Sequence, residues 1–173
     1  MSIWPFSRNQ AKSEAARLLE AVVAASRRPE FYGPGRVPDT LEGRFELLTL
    51  NAALALVRLK AAPEAAGLAQ GFTDRLFRHI DSGLREAGVG DMTVPKRMRR
   101  LAGGFYGRLD AYAAALAAPE ALGAAIGRNI LGDGGDPVFA GRLAAYAADL
   151  AARQAGTPPA ALTEPDAWAG AFP

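Results

Sequence analysis

The chain has 173 residues, half of them hydrophobic, with a formal net charge of +2, no cysteine and one histidine. That length makes one domain with a sizeable core the default, and the lack of cysteine removes disulfides, thiolate catalysis and Cys-based zinc sites together. A single histidine, His79, leaves no two-His metal site, and the small, Arg-carried excess charge is not that of a polycation built for non-specific phosphate binding.

Alanine is the commonest residue, and it loses no side-chain entropy in a helix, so the expected fold is all-α. The opening "MSIWPFSRNQAKSEAARLL" has no apolar run of signal-peptide length, and its acidic and amide residues suit a transit peptide poorly. It reads as an untargeted, cytoplasmic start. A first helix is predicted from about Asn9 to Ser26, with Leu18, Leu19, Val22 and Val23 as its stripe, and Pro29 beyond its end.

A second helix is predicted to open at Asp39, where "DTLE" has the form of a capping box: Asp39 accepts the N–H of Glu42, and Glu42 reaches back. It runs to about Lys60. Phe45, Leu48, Ala52, Leu56 and Leu59 lie on one face and Leu47, Leu50, Leu54 and Val57 on another, so this helix is the expected centre of the bundle. Its most apolar stretch, Leu47 to Val57, is far shorter than the roughly 20 residues a bilayer requires.

Pro63 suits the start of a third helix reaching about Ala87, with Leu68, Phe72, Leu76, Ile80 and Leu84 inward and Asp74, Arg78, Asp81 and Arg85 outward. "GVGD", Gly88 to Asp91, breaks it. Thr93 is the predicted cap of a fourth helix with Met98, Leu101, Phe105, Leu109, Tyr112 and Leu116 as its stripe. A shorter helix follows Pro119 and ends near Ile130. "GDGGDPVFAG" lacks the ligand alternation and closing Glu of an EF-hand, and Asp136 reads as the N-cap of a last helix from Pro137 to about Gln154. The expected architecture is a single compact bundle of about six helices over residues 1–156, followed by a Pro-rich tail, 157–173, that wanders over the surface.

Chemistry-bearing patterns are few. The glycine clusters match no phosphate loop and follow no predicted strand. Lys96, Arg97, Arg99 and Arg100 crowd the first turns of the fourth helix, where the helix dipole disfavours cations; they form either a solvated cluster or a surface for acidic partners or an anionic membrane. Gly103, Gly107 and Ala111 share a face that permits close helix approach, within the chain or to a partner's helix. His79 is expected to be a surface or half-buried side chain rather than a general base. In "EFYGPGRVPDTLEGRFELL", the prolines and the capping box account for a turn and a helix start, and neither Tyr32 nor Arg44 is needed as a cap.

Read in order, "RRPEFYGPGRVPDTLEGRFELLTL", "LREAGVGDMTV" and "KRMRRLAGGFYGRLDAY" resemble the ubiquinol-cytochrome c chaperone family, in its bacterial form. The matching blocks span about residues 25–118: Arg28, Pro29, Phe31 and Tyr32, with Arg27 supplying the Arg-x-Pro spacing; Val37 to Thr40; Gly43 to Phe45; Asp81 and Arg85; Gly88 to Asp91; and Phe105 to Arg108. Asn51 stands where the family often has His. The resemblance implies a non-enzymatic helical chaperone, without cofactor or metal, that binds newly made cytochrome b and promotes assembly of the bc1 complex. Implied partners are cytochrome b and, in mitochondrial relatives, the ribosome and a small partner protein; no specific nucleic acid is implied. The expected location is the cytoplasm, with peripheral contact at the inner membrane's cytoplasmic face as an option. Tyr32, Arg44, Asp81, Arg85, Lys96, Arg100, Tyr106 and Arg108 are the expected partner-binding residues, and Asp39, Thr40, Gly43, Phe45, Gly88, Asp91 and Gly107 the residues that shape the motif backbone. Two other classes stay open: a helical nucleic-acid binder using residues 96–100, and a tetrapyrrole- or lipid-handling enzyme with an apolar pocket at His79.

Overall fold

The computed structural model describes residues 5–88, 90 and 92–173. Val89 and Asp91, the latter an expected motif residue, lie outside the described residues. The described residues form six α-helices and no strand: α1 (Pro5–Ser26), α2 (Leu41–Lys60), α3 (Ala66–Glu86), α4 (Val94–Ala115), α5 (Pro119–Ile126) and α6 (Pro137–Ala155). The all-α expectation holds. A π-helical turn, Gly127–Leu131, extends α5, and short 3-10 turns occupy Pro29–Phe31, Pro63–Ala65, Pro159–Thr163 and Pro165–Trp168.

α2 is the central helix. Every residue from Leu47 to Leu56 is buried, and α1, α3, α4 and α6 pack around it. Two of its polar side chains are inside as well. Asn51 donates from Nδ2 to Ser26 Oγ and to the Leu47 carbonyl, both at 3.1 Å, and Ser26 Oγ donates to the Val22 carbonyl at 2.7 Å. This bond between side chains ties the end of α1 to the middle of α2.

The start of α2 differs from the expected capping box. Thr40, in an extended conformation, is the N-cap, and its Oγ1 accepts the N–H of Gly43 at 3.1 Å. Asp39 lies one residue too early to cap and instead accepts from Arg44 Nε at 2.7 Å. Thr and Asp are both competent caps, so the register was decided by how the preceding loop enters the helix. Gly43 is required sterically: a Cβ there would lie 2.0 Å from the Pro38 carbonyl oxygen.

The loop before α2 is anchored by Phe31 and Val37, both fully buried. Gly33 and Gly35, at φ 132° and 72°, let it double back so that Gly33 N–H donates to the Val37 carbonyl and Val37 N–H to that of Phe31. Gly88, at φ 78°, ends α3 in the same left-handed region.

On α3, Leu68, Phe72, Leu76, Ile80 and Leu84 form the buried stripe as expected. On α4, Phe105, Leu109 and Tyr112 are buried while Met98, Leu101 and Leu116 are only half-buried. Thr93 stands at the N-cap position of α4, but its side chain makes no capping bond. Gly103 and Gly107 are exposed, with open space where a Cβ would be, so close packing within the chain does not explain them. Asp136 caps α6 as expected, accepting the Val138 N–H at 2.8 Å.

The Pro-rich tail does not wander. Leu162 and Trp168 are buried, Trp168 Nε1 donates to the Leu162 carbonyl at 2.9 Å, and Phe172 stacks with Phe31, Phe139 and Tyr146. Arginines fasten its backbone: Arg58 donates to the Gln154 and Thr157 carbonyls and Arg28 to that of Gly170. Proline content signalled a lack of helix, which is not a lack of packing.

Thr40→Ala is expected to lower unfolding stability by about 1 kcal/mol, and Asp39→Ala, which loses only an exposed ion pair, by clearly less. Gly43→Ala, which overpacks the helix start against backbone, should cost about 1–3 kcal/mol. Urea melts of the three variants check this order.

Candidate functional site

A cleft opens where the C-terminal ends of α1 and α3 meet the N-terminal turns of α2 and α4. Its volume is about 580 Å³. Val23, Leu41, Phe45, Leu48, Ile80, Leu84 and Leu101 supply apolar wall, and Arg27, Arg44, Arg97, Arg100 and Arg108 face Glu42, Glu46 and Glu86 around it. His79 and Tyr32 also line it.

Three Arg–carboxylate pairs organise this rim. Arg108 clamps Glu46 through two hydrogen bonds of 2.6 Å, from Nε and Nη2, in the fork geometry that makes such pairs specific. Arg97 holds Glu42 at 2.6 Å, and Arg44 holds Asp39 at 2.7 Å. The first pair joins α2 to α4 and is largely shielded, with Glu46 only 13% exposed. Burial raises the pKa of Glu46 above its ordinary 4.5, although Arg108 pulls it down. The third pair is open to solvent, and such pairs contribute little to stability.

Tyr32 has a task that its sequence position concealed. Its hydroxyl donates to the Ser26 carbonyl at 2.7 Å, satisfying one of the free carbonyls at the end of α1. It is a cap after all. Half-burial raises its pKa.

Of the expected partner-binding residues, Tyr32, Arg44, Arg100 and Arg108 line this one cleft, and Phe45 forms part of its wall. Asp81, Arg85, Lys96 and Tyr106 do not line it. Asp81 and Arg85 pair with each other at 2.9 Å on the outside of α3. Tyr106, 49% exposed, stacks beside Phe77 and Phe105.

Glu46 and the Ser26–Asn51 contact escaped the sequence reading, which had Glu42 only as a capping-box partner and Arg27 only for its spacing to Pro29. Glu42 and Glu46 are one helical turn apart, and that spacing was a usable signal for a shared face. Nothing in the sequence named their arginines, which come from α4.

His79 does sit beside a cleft, as the enzyme alternative requires. Burial lowers its pKa, and the positive charge of Arg27 lowers it further, so the imidazole is neutral at physiological pH. Among the described residues no hydrogen bond positions its ring and no group of three His, Asp or Glu could hold a metal ion.

The scaffold is all-helical, and Arg–carboxylate pairs frame its apolar cleft. The ubiquinol-cytochrome C chaperone family model matches residues 35–167, and the chain belongs to that family. The chain is also similar to the crystal structure of the Cbp3 homolog from Brucella abortus, at 41% identity and a TM-score of 0.80, over 92% of this chain and 91% of that one. A search of curated proteins finds no match.

The raised pKa of Glu46 has a stability consequence with a definite sign. Between 4.5 and its native value the folded state binds more protons than the unfolded chain, so stability falls as pH rises through that window. Glu46→Gln is expected to remove this fall. Arg108→Ala should extend it to higher pH, because the buried carboxylate then lacks its counter-charge. Chemical denaturation at successive pH values upward from 4.5 tests both.

Proposed function

We propose that this chaperone is non-enzymatic, acts in the cytoplasm, and binds newly synthesised cytochrome b in the cleft to promote assembly of the ubiquinol-cytochrome c reductase (bc1) complex. Family membership supports the chaperone role, and the cleft itself carries the reading for a membrane-protein client. A client segment bound for a bilayer is apolar and unshielded before insertion. The wall of Phe45, Leu48, Ile80, Leu84 and Leu101 gives such a segment apolar contact, in the manner of a helix laid in a groove.

The rim suits reversible capture. Arg44 and Arg97 are held by exposed or half-exposed pairs that cost little to open, so they can exchange Asp39 and Glu42 for polar groups flanking the client. Arg100 has no carboxylate partner among the described residues and is free to reach the client at once. The shielded Glu46–Arg108 clamp keeps α2 and α4 at a fixed spacing meanwhile. Tyr32 and Arg108 therefore act by holding the cleft's shape and offering its edge. Tyr106, half-exposed and outside the cleft, offers a surface to a second partner, such as the ribosome or a small partner protein.

Photocrosslinking residues placed at Phe45 or Leu101 should label cytochrome b during its synthesis, and one at Lys60, on the far end of α2, should not. Arg44→Ala should weaken capture several-fold while Tyr106→Ala leaves it near the native level. Equal labelling from Lys60, or full capture by a folded Arg44→Ala and Phe45→Glu double variant, would show that the client binds elsewhere.

A further inference from the structure

Met92 and the first two turns of α4 carry a feature that meets the cleft only at Arg100. Met92 is 98% exposed, the most exposed large hydrophobic side chain among the described residues. Lys96, Arg99 and Arg100 follow it, all exposed, and none has a hydrogen bond or ion pair among the described residues. The carboxylates that share the cleft wall with Arg100 are already engaged: Glu42 by Arg97, Glu46 by Arg108 and Glu86 by the Ser82 hydroxyl. Arg97 alone in this run is neutralised. The other three cations stand in the first two turns of α4, near the positive end of its dipole, and no described carboxylate forms an ion pair with them.

We infer that this tip is a peripheral docking site for an anionic phospholipid bilayer, with Met92 entering the interface and Lys96, Arg99 and Arg100 on the headgroup phosphates. Charge complementarity and the exposed apolar tip select this occupant together. A bilayer interface takes an apolar side chain and flanking cations in one contact. A nucleic acid backbone has no use for a protruding methionine, and no aromatic side chain stands among these residues to stack on bases. No described helix is long and apolar enough to cross a membrane, so contact through this tip is a surface contact. Because Arg100 belongs to both the tip and the cleft wall, docking would hold the cleft mouth close to the headgroups. The inference is independent of which client the cleft takes.

Each cation at an anionic surface contributes about 1 kcal/mol, or about fivefold in partitioning. The test is co-sedimentation of the full chain with vesicles of phosphatidylcholine containing phosphatidylglycerol, against vesicles of phosphatidylcholine alone. The native chain should bind the anionic vesicles, less so as salt rises, and leave the neutral ones. The triple variant Lys96→Ala, Arg99→Ala, Arg100→Ala should lose about 100-fold in partitioning, and Met92→Asp several-fold, both with unchanged thermal melts, since these side chains are exposed. Arg99→Glu should lose far more than Lys60→Glu, which makes the same change in net charge elsewhere. Three outcomes would each overturn the inference: no binding to anionic vesicles, equal loss from Arg99→Glu and Lys60→Glu, or tip variants that keep vesicle binding but lose binding to a single-stranded RNA.

Discussion

α2 is apolar around most of its circumference, and the rest of the molecule is arranged to meet that constraint. A helix with one apolar stripe needs one neighbour; a helix apolar all round must be enclosed. Full burial of a leucine side chain is worth roughly 1.5–3 kcal/mol, and Leu47, Leu50, Leu54 and Leu59 are all fully or almost fully buried. Enclosure takes α1, α3, α4 and α6 together. The enclosure stops where α2 changes character. Its first turns carry Glu42, Arg44 and Glu46 beside Phe45, a mixed surface that the neighbouring helices approach without covering. The cleft is the consequence: the place where the central helix is no longer apolar enough to be wrapped.

Arginine does much of the work that side chains of intermediate length do elsewhere. In an alanine-rich chain most side chains are too short to bridge from one element to the next, so long guanidinium arms satisfy distant carbonyls. Arg58 reaches the end of α6, and Arg28, stacked against Phe31 and Tyr146, reaches the tail at Gly170. Around the cleft the same residue type serves differently. Arg108 is locked to a shielded Glu46, while Arg44 sits in an exposed pair and Arg100 in none. One residue type thus spans a range from structural staple to available contact, and burial of the carboxylate partner decides which.

The loop from Pro29 to Thr40 shows how structure and function share residues here. Phe31 and Val37 bury it, Gly33 and Gly35 fold it, and Tyr32 closes the end of α1 while presenting its ring to the cleft. Thr40 rather than Asp39 starts the helix, which frees the Asp39 carboxylate for Arg44. A shift of one residue in the cap therefore changes the rim. Tyr32 could not be recognised as a cap from sequence because the carbonyl it satisfies lies across a turn whose path depends on two left-handed glycines.

Periodicity and composition alone determined that the chain is all-helical, where five of its helices end to within a few residues, that α2 is central, and which leucines and aromatics face inward. These are local properties: a stripe at helical spacing has to be buried, and proline and glycine limit where it can run. The motif blocks also carried the family. Tertiary structure decided what the polar residues do. Asp81 and Arg85 pair on the outside of α3 and Tyr106 stands on a different surface, although the motif blocks place all three beside residues that do reach the cleft. Glu46 finds Arg108 sixty-two positions away, and the proline-rich tail is held by Phe172 and by Arg28 and Arg58. Hydrophobic burial is non-directional and legible from spacing, whereas hydrogen bonds and ion pairs depend on a few ångströms and an angle, which exist only once the helices have crossed.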